Sequence, residues 1–387
     1  MSSQRPLLFV AEVRDDMQGG VSRHFRFVGE RLRDLGYRVD FVFLDQMPEA
    51  WSRRVEGFSL DLCRRAFRGV QQYLRRAGEP ALMYWSLNTA FPFSLLRKQV
   101  ASGNAPLVGM TFGVEARWWT QLRHDAERPG GPRIPTYQFF TTGWLRMKVL
   151  SLASRTCDHI VCVSDEDREY LVTQLGIQPA RVTAIPVGVD PAFLAAEPSG
   201  RGGKNVLFLG TWIWRKGVKF LIDAMIEVWR SEPDCRLSII GTFQPAETIL
   251  AQWPVELRGK IRAVPSLRGD DLVREYESHD IFVLPSLFEG MPLSLAEAMG
   301  VGLAVVTTAT CGMKELVKHR ENGLLVPPRD ASALASAILE LVRDPALRHR
   351  LGNEGRATIR EWTWARIGDE FLRLFKRYAP SLDVRAS

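Results

Sequence analysis

The sequence predicts an α/β protein built from two doubly wound parallel sheets, and three observations support that prediction. Short β-branched runs alternate with helical segments in both halves of the chain. The 387 residues, 46% of them hydrophobic, are enough for two apolar cores. A small, polar segment at 195–205 interrupts the alternation near the middle of the chain. Alternating strands and helices are typical of parallel sheets, and the interruption predicts a boundary between two domains.

The first half contains the first strand–helix series. A helix is predicted over 21–36, and the pair Gly19-Gly20 forms the turn that precedes it. The predicted strands are apolar and rich in β-branched or aromatic residues, and they lie at 7–13, 37–44, 82–87, 106–112, 159–164 and 182–187. We therefore predict a first Rossmann-like domain over residues 1–196.

The second half repeats the alternation. Strands are predicted at 205–210, 235–241, 281–286, 304–309 and 323–328, and helices at 216–230, 293–299 and 313–319. After Asp330 the pattern is helical almost to the end of the chain. We predict a second domain over 197–360 and a helical tail over 361–387 that packs back on the first domain. Ligands of such sheets bind at the carboxyl ends of the strands, which predicts a central cleft.

Composition excludes several classes of protein. No stretch reaches the ~20 apolar residues that span a bilayer, and the N-terminal apolar run is too short for a signal peptide. We therefore expect a cytoplasmic protein. The five cysteines are scattered and form no CxxC pair, which argues against a disulfide framework or a zinc site. We expect buried structural thiols.

The segment 285–308 is the most informative part of the sequence. Glu289 and Glu297 are separated by seven residues, and Glu289 follows a predicted strand. Gly290 and Pro292 interrupt regular structure before the next helix. Backbone amides near the positive N-terminus of that helix can therefore donate hydrogen bonds to an anion or to a row of hydroxyls. A carboxylate further along that helix can accept hydrogen bonds from a vicinal diol. The alternative is that both carboxylates are solvated acids at a helix end.

This segment resembles the E-x7-E motif of the retaining glycosyltransferases of family GT4, which have the GT-B fold. The matching residues are Glu289-Gly290-Met291-Pro292-Leu293, then Glu297-Ala298-Met299, then Gly302-Leu303-Ala304-Val305-Val306. The resemblance extends over most of residues 7–375. It implies two Rossmann-like domains that face a central cleft, and a nucleoside-diphosphate sugar as donor.

The resemblance also implies roles for single residues. Glu297 takes the place of the glutamate that binds the ribose hydroxyls, and Glu289 that of the glutamate against the donor sugar near the reacting carbon. The backbone amides of Gly290, Met291 and Leu293 would hold sugar hydroxyls.

Two further segments complete the candidate donor site. Arg215 and Lys216 lie between a predicted strand and a helix, where cations can stabilise a departing diphosphate without a metal. Gly19 and Gly20 let the backbone approach a phosphate at a helix N-terminus, and the resemblance makes them contacts of the donor diphosphate. We expect no metal and no cofactor beyond the donor substrate.

The sequence departs from the family pattern at two positions that bear on catalysis. Phe112 stands where the family commonly has a histidine near the donor sugar, and Glu115 or His124 are candidates to compensate. Thr211 stands where the family has an arginine, and Arg215 is the candidate substitute.

Positive charge is concentrated in the first half of the chain. Residues 53–148 hold 15 Lys and Arg against 6 Asp and Glu, a balance of +9. A helical wheel places five arginines on one outward face, namely Arg64, Arg65, Arg68, Arg75 and Arg76. That face is either simply solvated or contacts anionic lipid or a polyprenyl diphosphate. A second candidate surface comprises Arg117-Trp118-Trp119 with Phe139-Phe140 and Trp144-Leu145-Arg146.

The sequence therefore predicts a metal-independent retaining hexosyltransferase acting on a glycan or lipid-linked glycan in cell-surface polysaccharide biosynthesis, at the inner face of the membrane. One alternative is a catalytically impaired or partner-dependent subunit that still binds the donor. A sugar-nucleotide epimerase is a second alternative. A nucleic-acid-binding protein, suggested by the pI of 9.3, is disfavoured because no helix-turn-helix, zinc or RNP pattern is present.

Overall fold

A computed structural model describes residues 5–15, 19–49, 59–100, 105–128, 131–134, 143–198, 202 and 204–383. The described residues group into two compact units. The first comprises residues within 1–187 and 364–387, and the second comprises residues within 188–363.

Six parallel strands form the sheet of the first unit, in the order β2-β1-β3-β4-β5-β6. Their bounds are β1 (Leu7–Val10), β2 (Val39–Val42), β3 (Leu82–Ser86), β4 (Leu107–Thr111), β5 (His159–Cys162) and β6 (Val182–Ala184). The strands β1, β3, β4 and β5 are buried at every position, as expected for parallel strands covered on both faces. The chain order reverses between β1 and β3, and ligands of doubly wound sheets bind at such a point.

Helices cover this sheet. Their bounds are α1 (Gly20–Asp34), α2 (Ser59–Ala77), α3 (Phe93–Val100), α4 (Glu115–Ala126), α5 (Leu145–Thr156) and α6 (Asp165–Thr173). The local sequence favours the start of α6, because the Ser164 hydroxyl accepts a hydrogen bond from the amide of Asp167 and three acids occupy the first turn.

The second unit has its own sheet of six parallel strands, in the order β12-β11-β10-β7-β8-β9. Their bounds are β7 (Asn205–Leu209), β8 (Arg236–Ile240), β9 (Ile261–Val264), β10 (Ile281–Leu284), β11 (Ala304–Thr308) and β12 (Leu324–Val326). The chain order reverses between β7 and β10, which is the Rossmann arrangement. The carboxyl ends of these two strands are therefore the expected place for a ligand.

The helices of the second unit include one that is almost entirely buried. Their bounds are α7 (Pro191–Ala195), α8 (Val218–Ser231), α9 (Ala246–Leu250), α10 (Gly269–Glu277), α11 (Leu293–Val301), α12 (Cys311–Leu316), α13 (Ala331–Arg343) and α14 (Pro345–Ile359). The buried helix is α11, whose residues from Ser294 to Val301 are all buried. Aspartates cap α13 and α14, because the side chains of Asp330 and Asp344 accept hydrogen bonds from first-turn amides.

The last helix, α15 (Trp364–Tyr378), belongs to the first unit and packs on α1. Gly368 permits this contact, since a Cβ there would lie 2.5 Å from Cγ of Arg31. The Arg31 guanidinium also makes two hydrogen bonds to Asp369, at 3.0 and 3.2 Å. Buried aromatic residues on α15 complete the first core.

The predicted fold class is confirmed, since two parallel six-stranded sheets with flanking helices are present. The strand β9 was not predicted from the sequence; it is an edge strand whose middle positions are exposed or half-buried. All five cysteines are free and buried, as expected.

The prediction of an outward arginine face on α2 is wrong for Arg64 and Arg65, in the first turns of the helix. Arg65 is buried, and its guanidinium donates to the backbone oxygen of Pro48 at 2.6 Å. Arg64 donates to the Glu49 carbonyl at 2.7 Å and pairs with Asp61 at 2.9 Å. The connection after β2 covers these arginines. A helical wheel cannot show such a contact, because it describes only one helix. Only the later arginines of the set, Arg68, Arg75 and Arg76, are exposed.

The described residues lack a membrane-spanning helix and a cluster of metal ligands. None of the helices described is long and apolar enough to cross a membrane. No group of three or more His, Cys, Asp or Glu side chains within those residues could hold a metal ion.

Candidate functional site

Two loops meet at the carboxyl edge of the second sheet, where β7 and β10 are neighbours. The amide of Leu287, in the loop after β10, donates to the carbonyl of Arg215, in the loop after β7, at 2.7 Å. Gly217 allows the loops to approach, because it has a φ of 70° and a Cβ there would lie 1.9 Å from the Pro285 oxygen. The sequence predicted both loops, and the fold brings them together.

An ion pair joins these loops. The ammonium Nζ of Lys216 lies 2.7 Å from Oε1 of Glu289, and the hydroxyl of Ser286 donates to the same oxygen at 3.0 Å. Both charged side chains are largely buried. Two candidate residues from distant parts of the sequence therefore share one buried contact.

The electrostatics of Glu289 favour the carboxylate form. Burial raises the pKa of Glu289, but the charges of Lys216 and then Arg215 lower it, as do the hydrogen bonds from Lys216 and Ser286. The net result is a pKa below the usual value of 4.5. The edge thus presents an ionised carboxylate beside two cations.

Glu297 lies in the second turn of α11 and is 1% exposed. The hydroxyl of Tyr276, on α10, lies 2.9 Å from its Oε2 and donates to it. The same hydroxyl lies 3.1 Å from the Ser294 carbonyl. Tyr276 thereby fixes the orientation of the carboxylate.

The segment between the two glutamates is buried and supported from β11 and α12. Pro292 is the N-cap of α11, which begins at Leu293 and has no acid in its first turn. Gly290 and Met291 precede it and are buried. Gly312 lies against this backbone, because a Cβ there would be 1.9 Å from the Gly290 oxygen. The hydroxyl of Thr308 donates to the Ser286 carbonyl.

Gly19 and Gly20 lie at the carboxyl edge of the first sheet. Gly19 is the N-cap of α1 and Gly20 its first residue, and both are exposed. The first turn of α1 contains no acidic residue, so its positive end is not neutralised from within the turn. Their contact with a diphosphate stays a prediction.

Phe112 follows β4 and packs against a buried histidine. Its ring centroid lies 4.9 Å from that of His24 at an interplanar angle of 81°. His24 is fully buried and shares a 2.8 Å hydrogen bond with the hydroxyl of Tyr84. Glu115 begins α4, whereas the exposed His124 lies ~13 Å further along that helix. The structure therefore does not bring the two proposed substitutes together.

The proposed aromatic and basic surface is only partly described. Phe139 and Phe140 lie outside the described residues, as do the side chains of Leu145 and Arg146. Trp144 is 52% exposed. Arg117 instead pairs with Asp167 at 2.6 Å and with Glu166 at 2.8 Å.

Several supporting residues of the site were not predicted from the sequence. Tyr276 and Gly312 act on the motif from other elements, and no local pattern indicates such long-range contacts. Ser286 is the last residue of the strand predicted at 281–286, and that pattern does not indicate its hydrogen bond to Glu289. In the first unit, the Asn88 amide donates to Glu12 at 3.2 Å, so the loops after β3 and β1 are joined at the reversal point of that sheet.

A cavity of about 620 Å³ opens at the opposite, amino edge of the first sheet. Its three arginines serve the fold. Arg97 pairs with Asp158, Arg181 donates to carbonyls at the end of α5, and Arg155 donates to the Leu175 carbonyl. We assign no ligand to it.

Comparison with known families identifies the chain. The family described as Glycosyltransferase Family 4 matches residues 18–193, and that described as Glycosyl transferases group 1 matches residues 203–344. The chain belongs to glycosyltransferase family 4. The predicted resemblance is thereby confirmed, and Lys216, Glu289 and Glu297 lie in the part that matches group 1.

Individual proteins show the same relationship. The phosphatidyl-myo-inositol mannosyltransferase of Mycobacterium leprae is 29% identical over 261 residues, which cover 65% of this chain and 68% of that protein. Sucrose-phosphate synthase from Thermosynechococcus elongatus has a TM-score of 0.79 at 20% identity, over 97% of this chain and 99% of that chain. HepE from Anabaena, in complex with UDP-glucose, has a TM-score of 0.69 at 16% identity, over 97% of this chain and 100% of that chain. These two structures share the GT-B fold.

Proposed function

We propose that this glycosyltransferase moves a hexose from a nucleoside-diphosphate sugar to a glycan or lipid-linked glycan, with retention at the anomeric carbon. The observation that carries this proposal is the buried pair of Lys216 and Glu289, 2.7 Å apart at the reversal point of the second sheet. A cation and a carboxylate side by side suit a reaction that separates a sugar cation from a diphosphate anion.

Each residue has a part in the proposed reaction. The bond between the anomeric carbon and the diphosphate oxygen breaks, and Arg215 and Lys216 stabilise the negative charge that develops on the diphosphate. Glu289 stabilises the positive charge that develops on the sugar. The acceptor hydroxyl attacks from the same face and transfers its proton to the departing diphosphate. Glu297 holds the ribose, and the amides of Gly290, Met291 and Leu293 hold sugar hydroxyls.

The setting of the reaction is part of the same proposal. We propose that it needs no metal or cofactor and that it serves cell-surface polysaccharide biosynthesis at the cytoplasmic face of the membrane. The mycobacterial relative, named for a phosphatidylinositol substrate, supports a lipid-linked acceptor. The complex of HepE with UDP-glucose supports a nucleotide sugar as donor.

Donor binding and turnover test the proposal. Thermal unfolding of the wild type and of Glu297→Ala is followed with UDP-, GDP- and ADP-sugars. A ligand at 100 times its Kd adds ~2.7 kcal/mol of stability, so one donor should raise the Tm of the wild type but not of the variant. With that donor, we expect product of retained configuration by NMR, and the same rate with and without EDTA. No stabilisation by any nucleotide sugar would contradict the proposal.

One observation favours a second candidate function, that of a donor-binding subunit with impaired catalysis. Phe112 cannot hydrogen-bond a sugar hydroxyl, and its ring is engaged with His24. Donor binding without transfer or hydrolysis would favour this candidate, particularly if a Phe112→His substitution introduced activity.

A further inference from the structure

Phe243 is an exposed aromatic residue in an unfavourable backbone conformation. The residue is 58% exposed, and its backbone φ of 53° lies in the left-handed region. A bulky side chain costs free energy in that region, and an exposed phenyl ring recovers nothing by burial. Stability alone therefore gives no reason for a phenylalanine at this position.

Hydrogen bonds hold the Phe243 loop in place. The amide of Phe243 donates to the Pro265 carbonyl at 3.0 Å, which joins the loop to the one after β9. The side chain of Gln244 donates to the Trp212 carbonyl at 3.1 Å, which joins it to the loop after β7. The hydroxyl of Thr242 donates to the Gln244 carbonyl at 3.0 Å. The ring is therefore presented by a backbone fixed on both sides.

The loop lies at the same edge of the sheet as the candidate site. It follows β8, which pairs with β7, and β7 pairs with β10. The two neighbouring loops are in contact, since a Cβ on Gly241 would lie 3.6 Å from the amide nitrogen of Gly210. Strands lie about 4.8 Å apart, so β8 is about 10 Å from β10, a distance that an extended nucleoside diphosphate can span.

The direction from sugar to base also leads toward this loop. Glu297, proposed to hold the ribose, lies in the second turn of α11, near the carboxyl edge of the sheet where the loop after β9 also lies. The loop that precedes α10 contains Pro265, to which Phe243 is hydrogen-bonded. A base attached to that ribose is therefore expected beside the Phe243 loop.

We propose that the nucleobase of the donor stacks on the ring of Phe243. This proposal rests on the proposed function, because it needs a nucleoside-diphosphate donor in the second unit. Stacking accepts any base, since every base has a π face, so Phe243 sets the affinity for the nucleoside rather than the choice of base. The strain at Phe243 is then maintained by selection for binding.

The test compares nucleotide affinity with stability. UDP, GDP, ADP and inorganic diphosphate are titrated calorimetrically into the wild type and into Phe243→Gly, Phe243→Trp and Val255→Ala. Phe243→Gly should weaken nucleotide binding about 5- to 150-fold and leave inorganic diphosphate unchanged, while its Tm stays equal or rises. Phe243→Trp should keep nucleotide affinity. Val255→Ala, which truncates another exposed apolar residue, should bind as the wild type does.

The possible failures are distinguishable. If the wild type binds none of the nucleotides, both the proposed function and this inference are overturned. If the wild type binds a nucleotide and Phe243→Gly binds it equally well, only this inference is overturned. A lower Tm of Phe243→Gly with unchanged nucleotide affinity would show that the residue is structural.

Discussion

The Lys216–Glu289 pair joins two loops of the second unit, and the proposed chemistry depends on the same contact. Lys216 and Ser286 hold the carboxylate in one position, and the nearby charges keep it ionised. Because the pKa is lowered on folding, the stability that this pair contributes is present above the usual value of 4.5. It is lost as the pH falls through the lowered folded-state pKa.

Neutralising Glu289 tests its proposed electrostatic role. We expect Glu289→Gln to lower kcat by about 10²- to 10³-fold with a smaller change in KM, because the lost charge acts mainly in the transition state. Initial rates with the donor found by thermal shift measure this effect. The exposed Glu256 supplies the control, and Glu256→Gln should retain full activity. Equal rates for Glu289→Gln and the wild type would contradict the role.

Two buried histidines of the first unit should lower the free energy of unfolding at acidic pH. Burial lowers the pKa of His24 to about 3. The pKa of His159 is lowered to about 4 by burial and by the charges of Arg377 and Arg181. Each is neutral in the folded protein, whereas the unfolded chain takes up a proton near pH 6.5. The unfolded state therefore binds more protons between these values, and stability falls with pH.

This linkage gives a measurable slope. For His24, the free energy of unfolding should be constant above pH 6.5 and fall by about 1.4 kcal/mol per pH unit below it, toward pH 3. Chemical denaturation at pH 7.5, 6 and 5 measures the slope. His24→Gln should make it shallower, and the exposed His349→Gln should not. A slope unchanged by His24→Gln would contradict the assignment.

At the scale of elements, the loop after β10 depends on a glycine in another element. Gly312 on α12 touches the Gly290 carbonyl, and Thr308 on β11 bonds the Ser286 carbonyl. These contacts fix a segment that has little regular structure of its own. The candidate site is thus shaped by α12 and β11 as well as by the E-x7-E motif.

A methyl group at Gly312 should displace that loop. We expect Gly312→Ala to cost about 1–3 kcal/mol of stability and to weaken donor binding, because its Cβ would lie 1.9 Å from the Gly290 oxygen. Gly259→Ala is the matched control, since a Cβ there meets nothing within 4 Å. Donor titration of both variants provides the measurement. Wild-type affinity in Gly312→Ala would argue against the support that we describe.

At the scale of the whole molecule, the chain returns to its first unit after completing the second. Phe371 and Phe375 on α15 are fully buried, and both contact the ring of Tyr84 on β3. The first core is therefore completed by residues almost 300 positions away from that strand. Its stability depends on the last helix.

Truncating an aromatic residue of α15 tests this dependence. We expect Phe371→Ala to lower the free energy of unfolding by about 3–5 kcal/mol, because a large cavity forms in the core. The exposed Arg373 on the same helix gives the control, and Arg373→Ala should change stability little. Denaturation curves decide between them. A small effect of Phe371→Ala would mean that α15 is dispensable.

The sequence by itself determined the fold class, most of the strands and the family. Parallel strands buried on both faces must be continuous apolar runs, and the glycines and prolines around Glu289 mark a local backbone pattern. The strand β9 was not predicted, because an edge strand needs only part of its surface to be apolar and carries a weak pattern. Local hydrophobic patterns thus predicted the strands that are completely buried in the fold.

Only the tertiary structure decided which residues meet. The pairing of Lys216 with Glu289, the bond from Tyr276 to Glu297 and the bonds that tie the Phe243 loop to its neighbours depend on loops and helices that strand order brings together. It also showed that Arg65 on α2 is buried beneath the preceding connection, not exposed on a basic face. Periodicity reports how one element divides its surface, whereas contacts between elements follow from topology, which the local pattern does not encode.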